Sequence, residues 1–344
     1  GTFRVATGSS TLATKVGETV NLRARVSRTR VKGKKVGFMQ LRQSPTDSIQ
    51  AVAVGEELVA KVKALTPESI IDVEATLSKA SSPVQSTSCQ DYELQLKDLS
   101  IVSTAATPLP FPIQDNNTAL NTRNDHRVID LRTQHTGLIM RITSEVNRFF
   151  RDYLHSQDFI EIHTPKTIGT PSEGGSAVFT LKYFGKDAYL AQSPQLYKQM
   201  VLMGDGMRVM EIGPVFRAEN SLSHRHATEY VGLDAELVIK EHYFEVLEIL
   251  EGTMCHIIGG LQEAGSKAAA LVEQLNKTLD PVPTPIVAKI SEITETELGL
   301  GLELASGEVT RETVDKYGAR ISGETRVLRM SFRNAARFLA DEGI

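Results

Sequence analysis

Cysteine is scarce in this chain, and long hydrophobic runs are missing. The two cysteines, Cys89 and Cys255, are far apart in sequence, so they cannot make a disulfide scaffold or a cysteine-based zinc site. No apolar stretch approaches the ~20 residues that span a bilayer, and no basic segment followed by an apolar one opens the chain. We therefore expect a soluble protein of a reducing compartment, the cytoplasm, with no membrane partner.

The two common glycine-rich nucleotide signatures are also missing. Neither Gly-x4-Gly-Lys-Ser/Thr nor Gly-x-Gly-x-x-Gly occurs, so a nucleotide bound here would be held by side chains. What is present is ordinary for a globular protein: 344 residues, 41% hydrophobic and 23% charged, with a formal charge of −4. That length and composition predict two domains with a sizeable core.

The charge is unevenly distributed, and its basic part coincides with predicted strands. Between Lys15 and Pro45, nine basic residues accompany a single acid, Glu18. Alternation of apolar and polar residues predicts five strands, at Val20–Val26, Val36–Leu41, Ile49–Val54, Ser69–Leu77 and Tyr92–Val102. With a short helix near Glu56–Leu65, this order matches the OB-fold, a small barrel often used for single-stranded nucleic acid.

A proline-rich and then polar stretch, 107–124, predicts a linker between a barrel domain, 1–106, and a second domain, 125–344. Apolar residues at three-to-four spacing predict a helix over Thr133–Ser156. Further strands and helices follow in no regular alternation, which indicates an α+β domain. The predicted strands are Ala188–Ala191, Arg208–Ile212 and Glu229–Val238. The predicted helices are Pro194–Met203, His242–Gln262, one from about Ser266 to Leu279, and Phe332–Asp341.

Charged residues are dense between Thr164 and Glu236, in segments that otherwise have the pattern of a core. Buried charge is costly unless it is paired or bound, so this density predicts a polar pocket. Arg217 is suited to clamp a phosphate or carboxylate with its planar guanidinium. Glu219 and Glu229 can accept hydrogen bonds from amines, and Lys198 and Asp234 are suited to the two ends of a zwitterion.

Several long segments, in order, resemble class II aminoacyl-tRNA synthetases, and among them the aspartate-specific group of eukaryotic cytosolic and archaeal type. They are His126-Arg-Val-Ile-Asp-Leu-Arg132, Ser172-Glu-Gly-Gly175, Tyr189-Leu-Ala-Gln-Ser-Pro-Gln-Leu-Tyr-Lys-Gln199 and Ile212-Gly-Pro-Val-Phe-Arg-Ala-Glu-Asn220. The resemblance implies an N-terminal OB-fold and a class II catalytic domain, built on an antiparallel sheet flanked by helices. Motifs 1 and 2 of the family are present and motif 3 is absent.

The resemblance also implies roles for individual residues. Arg217 matches the catalytic arginine that contacts the ATP α-phosphate and the substrate carboxylate. The positions that match aspartate-binding residues, with Lys198 on the side-chain carboxylate and Asp234 on the ammonium, are Ser172, Glu173, Gln195, Lys198, Arg217 and Asp234. Ser172 and Glu173 open a mobile loop that continues through Gly174 and Gly175. The positions that match ATP-binding residues, with Glu219 and Tyr230 on the adenine, are Arg217, Glu219, Arg225, His226 and Tyr230.

Partners follow from the same resemblance. Arg30, Phe38, Gln50 and Glu93 match anticodon-reading positions, with Phe38 stacking on a splayed base of tRNA(Asp). Pro165 matches the motif 1 proline of the dimer interface, which implies a homodimer. ATP and L-aspartate are the implied substrates. Mg²⁺ is the implied metal, with acidic ligands expected in a C-terminal part beyond this chain and none within it.

Two alternatives stay open. One is an asparaginyl-tRNA synthetase, against which Lys198 argues because a cation suits a carboxylate better than an amide. The other is a synthetase-derived tRNA-binding or regulatory protein without catalysis, which the missing motif 3 favours. The chain begins with Gly1 rather than Met and ends at Ile344 after a predicted helix, so we expect part of a longer protein. Residues 291–326 match nothing in the family and are interpreted as an insertion.

Overall fold

The computed structural model describes residues 12–114, 117–173, 177–221, 223 and 226–278, and four short strands between residues 302 and 329. The chain divides into two compact units, Gly1–Arg141 and Ile142–Ile344. The first unit therefore extends beyond the predicted linker, and the domain limits drawn from the sequence stay predictions. The predicted final helix, Phe332–Asp341, lies outside the described residues.

A closed five-stranded barrel forms most of the first unit, which confirms the predicted OB-fold. Its strands are β1 (Thr19–Lys32), β2 (Val36–Ser44), β3 (Asp47–Val54), β4 (Ile70–Lys79) and β5 (Tyr92–Ser103). Helix α1 (Glu56–Lys63) lies between β3 and β4, and the strand order is β1-β2-β3-β5-β4, closed by pairing of β1 with β4. Gly33 has φ +66° in the β1–β2 turn, a conformation that glycine adopts without a Cβ clash.

Alternation along the strands builds the barrel core. In β1, Val20, Leu22, Ala24 and Val26 are buried while the residues between them are more exposed, as expected for one face packed inward. The fully buried side chains contributed by the other strands include Leu41, Ile49, Ile71, Leu77 and Leu94. Period-two alternation thus predicted these strands.

A buried ion pair ties the barrel to the segment that follows it. Glu68 is 3% exposed, and both of its carboxylate oxygens lie 2.8 Å from Arg42 Nη2. Arg132 Nη1 lies 3.2 Å from Glu68 Oε2, and Arg25 donates to the Glu68 carbonyl at 3.2 Å. Burial lowers the pKa of Arg42, and Glu68 opposes that shift. The carboxylate of Glu68 is therefore satisfied almost entirely by arginine.

Three helices complete the described chain before the second unit's strands: α2 (Leu120–Asp125), α3 (Arg127–Asp130) and α4 (Gln134–Ser156). Asp130 is fully buried and accepts from Arg123 Nε at 2.6 Å, and it also pairs with Arg127. Thr136 Oγ1 lies 3.3 Å from both of its oxygens. Every polar atom of this buried carboxylate therefore has a partner, as a buried charge requires.

The second unit is α+β, as predicted. One sheet has the order β11-β10-β6 and consists of β11 (Glu229–Leu237), β10 (Arg208–Phe216) and β6 (Ile160–Glu161). A second sheet has the order β7-β9-β8 and consists of β7 (Thr167–Ile168), β9 (Lys186–Leu190) and β8 (Thr180–Tyr183). The helices are α5 (Gln195–Met203), α6 (Phe244–Gln262) and α7 (Lys267–Thr278). Two hairpins follow, β12 (Leu302–Leu304) with β13 (Gly307–Val309) and β14 (Arg320–Ser322) with β15 (Val327–Arg329).

Strand β10 is longer than the sequence predicted. It continues beyond Ile212 through Gly213 and Pro214 to Phe216. Proline is tolerated here because β6 pairs with β10 only at Val209 and Met210, so one edge of β10 is open at Pro214. Within the described residues, no helix has the length and apolar character needed to cross a membrane.

Removal of the buried arginine should weaken the barrel. Arg42→Ala leaves the Glu68 carboxylate with Arg132 as its remaining side-chain partner, and breaking a buried pair costs about 3 kcal/mol or more. We expect hydrogen exchange in the barrel peptides of the full-length protein to accelerate roughly a hundredfold. The control is Arg23→Ala, which removes an exposed pair with Asp72 and should leave exchange nearly unchanged. Equal effects of the two substitutions would contradict the role given to Arg42.

Candidate active site

The register of β10 and β11 gathers polar side chains on one face of the sheet. Glu211 pairs with Asp234, Gly213 with Gly232, and Val215 with Tyr230. Alternate residues of a strand point to the same face, so these three pairs share one side, which we call the site face. Met210 and Ile212, which alternate with them, belong to the hydrophobic core instead.

A cavity of about 380 Å³ opens on the site face. Its floor is the glycine pair Gly213–Gly232, where neither strand carries a side chain. The charged and amide side chains that line it are Lys166, Glu173, Gln192, Gln195, Glu211, Arg217 and Asp234. The structure therefore brings together residues from four separate stretches of the sequence, as expected for a binding site.

Arg217 lies directly after β10, at one end of the cavity. Its backbone N–H donates to the Thr228 carbonyl at 2.9 Å, which fixes the chain next to β11. Its Nη2 lies 3.7 Å from Glu173 Oε2, and its guanidinium carbon lies 5.9 Å from the ring centre of Tyr230. Among the described residues, its buried Nε has no hydrogen-bond partner. An unused donor on a cation is the group that an anionic ligand would satisfy.

Asp234 lines the other end of the cavity and forms an ion pair with Lys198. Lys198 is on α5, its side chain is 6% exposed, and its Nζ also lies 3.3 Å from Glu236 Oε2. Gln195, one turn earlier on α5, donates from Nε2 to the same Glu236 oxygen at 3.4 Å. The Lys198 ammonium lies between the carboxylates of Asp234 and Glu236. It can bind the carboxylate of a ligand if that ligand also brings a cation to pair with one of these two residues.

A second lysine–carboxylate pair was not predicted from the sequence. Lys166 Nζ lies 3.0 Å from Glu211 Oε1, and Glu211 is 2% exposed. Thr164 donates to the two oxygens of Glu211 from its backbone N–H at 2.8 Å and from its hydroxyl at 2.7 Å. The one sequence signal was the lone glutamate in the apolar run Val209–Ile212, an unfavourable position for a carboxylate without a partner.

The start of the predicted mobile loop is held beside the cavity. Ser172 Oγ accepts from the backbone N–H of Gln192 at 3.1 Å and of Ser193 at 3.3 Å. The Glu173 backbone N–H donates to Gln192 Oε1 at 3.1 Å, and Gln192 is fully buried. Ser172 and Glu173 are thus next to the site, whereas Gly174 and Gly175 lie outside the described residues.

The residues predicted to hold ATP are placed less uniformly. Tyr230 is 40% exposed and lines the cavity. Glu219 and His226 are exposed and lie 3.5 Å apart, and the His226 Nδ1 atom contacts Ser223 Oγ at 2.7 Å. Arg225 lies outside the described residues. Pro165 is exposed between β6 and β7, and the dimer predicted from it stays a prediction.

Within the described ranges, no three His, Cys, Asp or Glu side chains converge as a metal site would require. The carboxylates around the cavity are paired with lysine or arginine instead. These residues alone therefore do not fit the magnesium site of the family. Burial raises the pKa of both thiols, Cys89 and Cys255, and neither is in a disulfide, which agrees with packing roles.

The four predicted anticodon residues lie close together on the barrel. Arg30 of β1 is the register partner of Phe38 on β2, and Gln50 of β3 is the register partner of Glu93 on β5. Gln50 Nε2 donates to Glu93 Oε2 at 3.0 Å. Arg30 is exposed and Phe38 is half-buried. An aromatic ring beside a cation and hydrogen-bonding groups is the combination that binds single-stranded bases.

Comparison with known proteins identifies both parts of the chain. A family model described as tRNA synthetases class II (D, K and N) matches residues 119–330, and one described as an OB-fold nucleic acid binding domain matches residues 20–102. The cytoplasmic aspartate–tRNA ligase of Homo sapiens is 43% identical over 266 residues, which cover 72% of this chain and 53% of the relative. The chain thus spans about half the length of the curated relatives it matches.

Solved structures give the same result. A crystal structure of a protein assigned as an aspartyl-tRNA synthetase from Leishmania major Friedlin is 39% identical, with a TM-score of 0.78, and the match covers 99% of this chain and 69% of that one. The aspartyl-tRNA synthetase of Entamoeba histolytica is 32% identical, with a TM-score of 0.68 and coverage of 82% and 58%. On these matches, the chain belongs to the class II tRNA synthetases of the aspartate, lysine and asparagine group.

Proposed function

We propose that the full-length protein is an aspartate–tRNA ligase, which activates L-aspartate with ATP and transfers it to tRNA(Asp). The observation that carries the proposal is the buried Lys198 ammonium beside Asp234, opposite in charge to the two ends of an aspartate molecule. Arg217, with its unused Nε, lies at the other end of the same cavity. The names of the relatives support aspartate as the amino acid and the cytoplasm as the location.

Binding of aspartate would exchange one ion pair for two. The substrate ammonium would take the place of Lys198 on Asp234, and Lys198 would then bind the substrate's side-chain carboxylate. Each buried charge keeps an opposite partner throughout, which limits the desolvation cost. Asparagine offers an amide to Lys198 instead of a carboxylate, so the cation would keep a weaker hydrogen bond. Gln195 and Glu236 would hold Lys198 in place.

The first chemical step follows from where Arg217 lies. An oxygen of the aspartate α-carboxylate attacks the ATP α-phosphorus, the bond from that phosphorus to the bridging oxygen breaks, and pyrophosphate leaves with aspartyl-adenylate as the product. The Arg217 guanidinium would contact both the carboxylate and the α-phosphate, which aligns them and stabilises the charge that develops between them. No side chain becomes covalently bonded, so catalysis consists of positioning and charge stabilisation.

The remaining residues would bind the rest of ATP and close the site. Tyr230 lines the cavity, with its ring centre 5.9 Å from the Arg217 guanidinium carbon, and is suited to stack on adenine. Glu219 would accept from the adenine amine, and Arg225 and His226 would contact the phosphates. Ser172 and Glu173 would lead a loop, with Gly174 and Gly175, that covers the amino acid.

The second step uses the barrel as well as the catalytic unit. The terminal ribose hydroxyl of the tRNA attacks the carbonyl carbon of the adenylate, AMP leaves, and the aspartyl ester remains on the tRNA. Arg30, Phe38, Gln50 and Glu93 would read the anticodon from the barrel face described above. We further propose a homodimer, with Pro165 at its interface. Mg²⁺ would come with ATP, with acidic ligands in a part of the full-length protein beyond this chain.

The direct test is pyrophosphate exchange by the full-length protein. With ATP and labelled pyrophosphate, we expect exchange that depends on aspartate and not on asparagine. Arg217→Ala should reduce it roughly 100- to 1,000-fold, as removal of one transition-state donor does elsewhere, with an unchanged thermal unfolding temperature. Lys277→Ala, on the exposed face of α7, is the control and should retain full exchange.

Two outcomes would contradict this assignment. Exchange with asparagine but not aspartate would indicate an asparaginyl-tRNA synthetase. Binding of tRNA without exchange for any amino acid would indicate a non-catalytic tRNA-binding protein. Full activity of Arg217→Ala would remove Arg217 from the reaction.

The barrel makes a separate prediction. Phe38→Ala should raise the KM for tRNA(Asp) in the transfer step by about ten- to a hundredfold, because stacking of one base contributes ~1–3 kcal/mol. Exchange without tRNA should be unchanged, since that step does not involve the anticodon. The control is Val102→Ala, an exposed apolar residue near the end of β5. A Phe38→Ala protein that charges tRNA(Asp) like the control would show that this ring only packs the barrel.

A further inference from the structure

Two acidic side chains oppose each other at the amino-acid end of the cavity. Glu211 and Asp234 are register partners on β10 and β11. Directly opposite residues on one face of such a pair have Cβ atoms ~4.5–5.5 Å apart, and like charges in that position repel. Glu211 is 2% exposed, so water screens that repulsion poorly. Each of the two carboxylates therefore needs a cation of its own.

Lysines from two different elements provide those cations. Lys198 of α5 pairs with Asp234, and Lys166, just before β7, lies 3.0 Å from Glu211 Oε1. The main chain fixes Lys166 at this place, because its carbonyl accepts from the Ala191 N–H at 2.9 Å and the Ala191 carbonyl accepts from the Phe216 N–H at 2.9 Å. The segment before β7 is thus held against the end of β10.

Gly213 leaves the space that Lys166 occupies. A Cβ atom at Gly213 would lie 3.2 Å from Lys166 Nζ and 3.2 Å from Glu211 Oε1, closer than most such contacts. The pair is also on the site face and not in the core, where apolar residues of similar size would stabilise the fold as well or better. Its position indicates a role in the site rather than in folding alone.

We propose that Lys166 is a positioning residue for the amino acid: by neutralising Glu211, it lets the opposite carboxylate, Asp234, keep its full negative charge for the substrate ammonium. The inference rests on the proposed function, in which Lys198 leaves Asp234 when aspartate binds. Unlike Lys198, Lys166 would keep its partners when aspartate binds, because its ammonium contacts both Glu211 and Thr164 Oγ1, the latter at 3.0 Å.

Without Lys166, the two carboxylates would share a proton. Like charges held together in a buried site raise the pKa of one of them. Binding of the aspartate ammonium would then require release of that proton, so the affinity for aspartate would rise with pH. The charged groups around Glu211 are Lys166 before β7, Asp234 and Glu236 on β11, Lys198 on α5, Arg217 after β10 and Glu173 in the loop.

The test is a double-mutant cycle in the full-length protein, with aspartate-dependent pyrophosphate exchange measured from about pH 6.5 to about pH 8.5. Lys166→Met should raise the KM for aspartate roughly tenfold near neutral pH, since each pH unit below the raised pKa weakens binding about tenfold. The KM should change more than kcat, and the defect should shrink as the pH rises. In Lys166→Met/Glu211→Gln the excess charge is gone, so KM should return to within about threefold of the wild type and lose its pH dependence.

The single substitution Glu211→Gln completes the cycle. It leaves Lys166 without its carboxylate, next to Asp234, and we expect a higher KM for aspartate without the pH dependence of Lys166→Met, because the opposed pair of carboxylates is gone. Comparison of its KM with that of Lys166→Met distinguishes the effect of removing the glutamate from the effect of leaving it without a cation.

Specific results would overturn the proposal. A double variant as defective as Lys166→Met would mean that Lys166 contacts the substrate itself. A Lys166→Met protein with wild-type KM at all pH values would mean that Glu211 needs no neutralisation. These two results test the role of Lys166 only if the wild-type protein exchanges pyrophosphate with aspartate. A wild-type protein without that exchange would contradict the proposed function instead.

Discussion

The antiparallel register of β10 and β11 determines which side chains of these two strands face the site. Because side chains alternate along a strand, the pairing of Glu211 with Asp234 places both on the site face and sends Met210 and Ile212 into the core. A slip of one residue would exchange the two sets, burying the carboxylates among apolar side chains and exposing the core to solvent. The fold and the chemistry therefore depend on the same register, and the core that stabilises β10 also orients the binding site.

Charge balance is the second constraint. Four carboxylates and three cations line the cavity or belong to the ion pairs of the residues that line it: Glu173, Glu211, Asp234 and Glu236 with Lys166, Lys198 and Arg217. Such a cluster is stable only while every buried charge has a partner. An amino acid with an acidic side chain can enter by exchanging partners, since it brings an ammonium and two carboxylates. In the proposed function, the same residues hold the site together and select the substrate.

Much of this arrangement could be predicted from the sequence, for identifiable reasons. The barrel follows from period-two alternation, and Lys198, Arg217 and Asp234 stand in segments whose residue types indicate a polar pocket. Lys166 and Glu211 were missed because they are far apart in sequence and meet only in the fold, through the pairing of β6 with β10 and the main-chain bonds at Ala191. The end of β10 was placed too early because Gly213 and Pro214 usually interrupt strands, and only the open edge beside them allows the strand to continue.

We propose that the site recognises an ammonium at Asp234 and a side-chain carboxylate at Lys198 together. Calorimetric titration of the full-length protein with L-aspartate, L-asparagine and succinate tests it most directly, because asparagine lacks the second carboxylate and succinate lacks the ammonium. We expect aspartate to bind more tightly than either of the others by about tenfold or more, since each of them loses one charge-assisted contact. Succinate or asparagine binding as tightly as aspartate would contradict it.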